Sequence, residues 1–303
     1  MKKASCFGGF FIAFFRCLTF GLFSAMLTER GIKMTKKIKM AICYDFDGTL
    51  SPKNMQEVTF IPKLKMSAKM FWTKAKKYAK KHKMDPILAY MKMMIKEADY
   101  EQISITRKDF KHHGKQIPLF DGVDTWFKRI NQYAASKGIE MHHYIISSGL
   151  EEMIKGSPIA KHFSGVFASS FQYDASGKAE WPAVAMNYTT KTQYLFRLNK
   201  GCLDITDNKC INEFVPHDKR VLPFEQMIYI GDGETDVPCM SLLKKMGGHS
   251  IAVYKKRSSN SKQTAEKMKQ DGRVHACFVA DYREDKPLDQ FIKKIIDDIA
   301  AAK

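Results

Sequence analysis

Asp45 and Asp47 stand one residue apart in the run Asp45-Phe46-Asp47-Gly48-Thr49-Leu50, directly after the apolar stretch Ile38 to Tyr44. Carboxylates at the carboxyl end of a strand point into the crevice where open α/β sheets bind ligands. At that spacing the two can take different jobs, one as nucleophile and metal ligand, the other as proton carrier. Gly48 lets the chain turn sharply away. An isolated pair of this kind is ordinary for a surface loop, but three further groups follow in order. Ile145-Ile146-Ser147-Ser148-Gly149 ends a second apolar run with hydroxyls and free backbone N–H groups, suited to hold phosphoryl oxygens at a helix start. Tyr188-Thr189-Thr190-Lys191-Thr192 opens a helical stretch toward Leu198 and brings a cation. Ile230-Gly231-Asp232-Gly233-Glu234-Thr235-Asp236 ends another strand with Asp232 and Asp236 four residues apart. A carboxylate attacking a phosphate dianion meets like-charge repulsion, which a divalent cation and a lysine must neutralise. Hard oxygen ligands suit Mg²⁺ rather than zinc.

The elements that position these groups read as an α/β chain. Ile38 to Tyr44, Met141 to Ile146, Met227 to Ile230, Ser250 to Val253 and Ala276 to Val279 are short continuous apolar runs, the pattern of strands buried on both faces. Amphipathic stretches at Asp124 to Ala135, Glu151 to His162 and Val237 to Met246 alternate with them, which predicts a doubly wound parallel sheet. Gly165 to Trp181 predicts a short strand and a β-hairpin around Asp174-Ala175-Ser176-Gly177-Lys178. Residues 51–121 interrupt the alternation. Leu64, Ala68, Phe71, Ala75 and Tyr78 fall on one helical face, Ile87, Met91, Met94 and Ala98 on a second, and Thr106 to Asp109 fits a capping box. A helical insert between the first two strands is expected.

With these motifs in this order, the chain resembles the haloacid dehalogenase-like (HAD) hydrolase superfamily, in its phosphoserine-phosphatase-like branch, over roughly residues 38–283. The resemblance implies a three-layer α/β/α core formed by residues 34–50 and 122–303, with residues 51–121 as a helical cap. It implies that Asp45 forms an aspartyl-phosphate and that Asp47 protonates the leaving alkoxide and then activates water. Ser147, Ser148 and Gly149 would bind the phosphoryl group, with Lys191 balancing charge. Mg²⁺ would be held by Asp45, the main-chain carbonyl of Asp47, and Asp232, supported by Asp236. An acid two positions after the nucleophile marks the superfamily's phosphatases. The expected activity is Mg²⁺-dependent hydrolysis of a small phosphorylated metabolite. A phosphotransferase sharing the same motifs and a basic nucleic-acid-binding protein on the same fold are the alternatives. Phosphoserine phosphatases carry a substrate-binding Glu about nine residues beyond the nucleophile; that position here is Asn54, and Glu57 is three residues late.

Composition bounds the rest. The 303 residues are 45% hydrophobic and 27% charged, which excludes a mostly disordered chain, and no repeat points to a solenoid. The formal charge of +18 is local: residues 51–121 hold sixteen Lys/Arg against seven Asp/Glu. Such a field steers a small anion as well as a polynucleotide. The adjacent histidines 112–113 and 142–143 diverge on any regular element and are poor shared ligands. Seven scattered cysteines without a CxxC pair point to reduced thiols, Cys202 and Cys210 included, in a cytoplasmic protein. Ala4 to Leu27 is nearly all apolar, with Arg16 inside it at a cost of roughly 2.5–3.5 kcal/mol on insertion scales. This extension, residues 1–33, is expected to lie outside the fold. Its readings are a mis-called start before Met34, a membrane anchor and an export signal.

Overall fold

The computed structural model describes residues 38–302; the N-terminal extension and its three readings lie outside them. Strands β1 (Ile38–Tyr44), β2 (Ile139–Leu150), β3 (Gly165–Tyr173), β4 (Ala179–Val184), β5 (Met227–Gly231), β6 (His249–Tyr254) and β7 (Ala276–Val279) form one sheet in the order β4-β3-β2-β1-β5-β6-β7. All neighbours are parallel except β3 and β4. Five of the helices between β1 and β2 fall within residues 51–121: α1 (Met55–Val58), α2 (Phe60–Lys63), α3 (Ala68–His82), α4 (Pro86–Tyr100) and α5 (Arg107–Gly114). The later helices are α6 (Val123–Ser136), α7 (Glu151–Gly156), α8 (Tyr188–Lys200), α9 (Asn208–Asn212), α10 (Val237–Lys245), α11 (Ser259–Gln270) and α12 (Pro287–Ala301).

β1 shows why the central strands read as continuous apolar runs. Met40, Ile42 and Tyr44 enter one hydrophobic cluster with Trp126, Phe127 and Ile130 of α6 and Leu288 and Ile292 of α12. Ala41 and Cys43 point the other way, into a cluster with Leu195 and Leu198 of α8 and Met240 and Leu243 of α10. Both faces are covered, so alternation is lost and the fold is the expected doubly wound α/β sheet.

Helix starts follow local chemistry. Ser67 caps α3 by accepting from Met70 N–H at 3.2 Å, and Asp85 caps α4 ahead of Pro86. Thr106 and Asp109 close a reciprocal capping box on α5. Two helices depart from the sequence-based bounds. The helix expected from Leu64 onward, α3, begins at Ala68, because Lys65 takes a left-handed conformation just after α2. The stretch Glu151 to His162 breaks after Gly156, since Pro158 holds Ser157 extended; a 3₁₀ turn, Ala160–His162, follows.

The cysteine reading is corrected. Cys202 and Cys210 form a disulfide, with their Cα atoms 5.8 Å apart. The Arg197 guanidinium gathers the carbonyls of Cys202 and Asp204, and Asp207 caps α9, so the loop curls Cys210 back onto Cys202. That removes the cysteine argument for a reducing compartment. Among the described residues Cys43, Cys239 and Cys277 are free thiols, and no helix is long and apolar enough to cross a membrane.

Candidate active site

The carboxyl ends of β1, β2 and β5 converge on one cavity of about 620 Å³. Asp45, Asp47, Ser147, Ser148, Gly149 and Asp232 line its floor. Gly48 has a φ of +82°, and a Cβ there would collide with Asp232 Oδ2, so the turn after Asp47 and the approach of β5 both require glycine. Gly149 leaves room for a neighbour: a Cβ there would push the tip of the Met55 side chain aside and sit 3.3 Å from Asp47 Oδ2.

Lys191, in the first turn of α8, is fully buried. Its Nζ lies 2.7 Å from Asp236 Oδ1 and 3.3 Å from Asp45 Oδ1. Asp236 is also fully buried; its Oδ1 accepts from the Tyr229 hydroxyl at 2.8 Å and its Oδ2 from Gly233 N–H at 3.2 Å. Asp45, Asp232 and Asp236 can each offer one carboxylate oxygen within 4.8 Å of the others. Asp47 stands apart from that triad and accepts from Met55 N–H, at the start of α1, at 3.0 Å.

The electrostatics separate the acids. Burial raises Asp45 to about 6, with Lys191 opposing and Asp236 adding to the rise. Asp47 is pushed well above the ordinary carboxylate range by burial and then by the charge of Asp45. Asp232 is raised by burial and by Asp45. Burial acts to lower Lys191, but Asp236 and Asp45 outweigh it and hold the ammonium above its usual value.

The stretch from Ser147 to Gly149 differs from its sequence-based picture. β2 runs on to Leu150 through a register shift, instead of ending at the serines. The backbone N–H groups are engaged: Gly149 donates to Ser147 Oγ at 3.1 Å and Leu150 to Met55 Sδ at 3.2 Å. Ser148 Oγ is buried without a partner, while its carbonyl accepts from Tyr90 at 2.7 Å and from Ser169 at 3.2 Å.

The remaining wall comes from the insert. Trp72 and Lys76 of α3, Ile87 and Tyr90 of α4, and Asn54 and Gln56 face the cavity, with Tyr188 at its edge. Apart from Asn54, sequence reading singled out none of these for a role in the site. Helical spacing marks Trp72 with Lys76 and Ile87 with Tyr90 as shared faces, but not what each face meets. Asp85 is a further missed residue. Its Oδ1 caps α4 while its Oδ2 accepts from Asn187 Nδ2 at 2.9 Å, and Asn187 in turn caps α8. One junction thus ties the insert to the helix carrying Lys191. The paired histidines diverge as expected: His142 meets Ser164 while His143 bridges Tyr44 and Asn131, and His112 is exposed while the buried His113 meets Thr59.

A protein family described as "Putative Phosphatase" matches residues 40–291. The chain belongs to this phosphatase family. A Borreliella burgdorferi protein described as uncharacterized is 27% identical over 253 residues, spanning 74% of this chain and 86% of its own. A HAD-family hydrolase from Salmonella enterica serovar Typhi has a similar structure, with a TM-score of 0.52 at 19% identity over 80% of this chain and 68% of that one. A substrate-bound phosphoserine phosphatase gives 0.52 at 16% identity, over 82% and 97%. These structural likenesses show that the phosphatase has the HAD-type α/β fold. In this phosphatase the family match spans all four motifs, from Asp45 to Asp236.

Proposed function

We propose that this phosphatase is a Mg²⁺-dependent phosphomonoesterase that works through an aspartyl-phosphate on Asp45. The observation that carries the reading is the difference between two neighbouring acids of the cavity floor, Asp45 buried beside Lys191 and Asp47 half-buried against Met55 N–H. Asp45 touches a lysine, which favours its carboxylate form, while Asp47 has no cation beside it and is driven toward the neutral acid. A nucleophile and a proton donor are thereby set side by side. An Asp45 oxygen attacks phosphorus, the bond from phosphorus to the ester oxygen breaks, and Asp47 gives its proton to the departing alkoxide. The resulting Asp47 carboxylate then takes a proton from the water that attacks phosphorus and frees Asp45.

The donor set fits a hard divalent ion. Three carboxylates converge on one point with a single ammonium against them, and all donors are oxygens. Asp45 and Asp232 would hold Mg²⁺ together with the main-chain carbonyl of Asp47. Asp236, whose oxygens already serve Lys191, Tyr229 and Gly233, would support the set. When bound, the ion supplies positive charge beside the phosphoryl oxygens. Ser147 and Ser148 would orient the phosphoryl group, and residues 51–121 would act as the cap that keeps water from the cavity.

The test is turnover of p-nitrophenyl phosphate by the full chain, with and without chelator, together with mass detection of a phosphoryl group on Asp45 after acid quench. Chelation should abolish turnover and Mg²⁺ restore it. Full turnover in excess chelator, or a phosphoryl group on another residue, overturns the mechanism.

A further inference from the structure

We infer that Lys76 is a specificity-determining residue that selects phosphomonoesters carrying a second anionic group and disfavours those carrying an ammonium. The inference rests on the phosphomonoesterase reading of the same cavity and concerns the end of the substrate away from phosphorus.

Four of the five charged residues that line the cavity are acids of the core: Asp45, Asp47, Asp232 and Glu234. Lys76 is the fifth and the sole charged lining residue on the insert's side. Its neighbour Lys74 is paired with Glu97 at 2.9 Å, and Lys69, Lys74 and Lys77 border a separate shallow groove. Lys76 makes no ion pair among the described residues and sits one helical turn beyond Trp72 on the same face.

Glu57, three residues beyond Asn54, is oriented by two neutral donors. Glu57 Oε1 accepts from Trp72 Nε1 at 2.6 Å and from Asn54 Nδ2 at 2.6 Å, and Glu57 does not line the cavity. Around Lys76 the wall is otherwise uncharged: Trp72, Ile87, Tyr90 and Asn54, with Trp72 and Tyr90 edge to face at 5.7 Å. An ammonium brought here meets a like charge, and no acid of the insert lines the cavity to offset it. A carboxylate or second phosphate meets the exposed Lys76 ammonium instead, and the two can form a charge-assisted hydrogen bond. Glu234, exposed and on the core side, is the acid an amine would have to use instead. The aromatic pair would also accept a cationic head by cation–π contact, which makes preference for an amine the rival outcome.

Three two-carbon esters isolate the charge: phosphoglycolate with a carboxylate, ethyl phosphate with none, and phosphoethanolamine with an ammonium. With the full chain and Mg²⁺, kcat/KM should fall in that order, by about tenfold from acid to neutral. Lys76→Gln should reduce the acid-to-neutral ratio about tenfold, through KM, and Lys76→Glu should invert the acid-to-amine order. Lys77→Gln, on the outer groove, should leave the ratio where it was. Calorimetric Kd values for the same esters on the non-reacting Asp45→Asn variant, with and without Lys76→Gln, repeat the comparison without chemistry. If no ester turns over, the phosphomonoesterase reading fails while the Kd order still decides the role of Lys76. An amine ester that binds as well as the acid, or a ratio unmoved by Lys76→Gln, overturns the inference.

Discussion

The floor and the wall of the cavity are built in opposite ways. On the floor, Asp45, Lys191 and Asp236 are buried, and the Lys191 ammonium lies within 3.3 Å of a carboxylate oxygen of each acid. On the wall, Trp72, Lys76 and Ile87 stand on helix surfaces with side chains at least partly in solvent. A floor of interlocked charges leaves little freedom, because removing one partner strands another in a low dielectric. Lys76, exposed and without an ion pair among the described residues, can change with less disturbance. Under the proposed function, the contrast would place reaction type on the core and substrate preference on the insert.

The largest expected effect tests the floor. Asp45→Asn should lower hydrolysis by about 10⁴-fold or more with the circular dichroism spectrum unchanged, since an amide cannot form the covalent intermediate. Retention of a tenth of the activity would place the chemistry elsewhere and break the comparison.

Asp47→Asn comes next, with a loss of about 10²–10⁴ in turnover. Phosphorylation of the variant should still be detectable on Asp45 by mass after acid quench, because the nucleophile is intact. Turnover equal to wild type would mean that another group moves the proton.

Metal and pH act together on the same floor. Asp45 titrates near about 6 when buried, against roughly 4 in an unfolded chain. Between those values the folded state holds protons that the unfolded state has shed, so Asp45 lowers stability as pH rises through that window. Asp47 and Asp232, also raised, contribute with the same sign. His143, lowered to about 3 by burial, has the opposite sign and lowers stability as pH falls below about 6.5. The histidine contribution cancels in a difference between melts with and without Mg²⁺. That difference should therefore grow by a few degrees from pH 5 to pH 7. A gain in Tm that is flat or shrinks with pH would show that the acids do not hold the ion.

The smallest effect sharpens the wall. Reversing Lys77 and Lys81, which lie on the insert but do not line the cavity, removes field without removing contact. KM for a neutral ester such as ethyl phosphate should rise about two- to threefold at low salt and return toward wild type near 0.5 M, where charges are screened over a few ångströms. Equal KM at both salt concentrations would confine the role of the insert's charge to Lys76.

Much of the floor was legible from residue order alone. β1 and β7 have the bounds their apolar runs predict, and Asp45, Asp47, Ser147, Lys191, Asp232 and Asp236 converge on one site. Each is fixed by a short local segment, a strand followed by a turn or a helix cap, so a few consecutive residues suffice to place it. The engaged N–H group of Leu150 was not legible, because Met55 reaches it across 95 residues of sequence. The disulfide escaped for a related reason: the curl that joins Cys202 to Cys210 depends on Arg197 gathering carbonyls from the following loop.

By itself, then, the sequence determined the doubly wound sheet, the order of the four motifs and the kind of chemistry they support. Periodicity and strand-end acids are properties of neighbours along the chain, and they survive without coordinates. Tertiary structure alone decided that Glu57 accepts from Trp72 and Asn54 outside the cavity lining, that Asp85 and Asn187 tie the insert to α8, and that Lys76 rather than Lys74 or Lys77 meets the cavity. Each of these depends on the rotation of a helix about its axis and on the element packed against it. A helical repeat defines faces but carries no information about which face turns inward until the packing of the whole domain selects one.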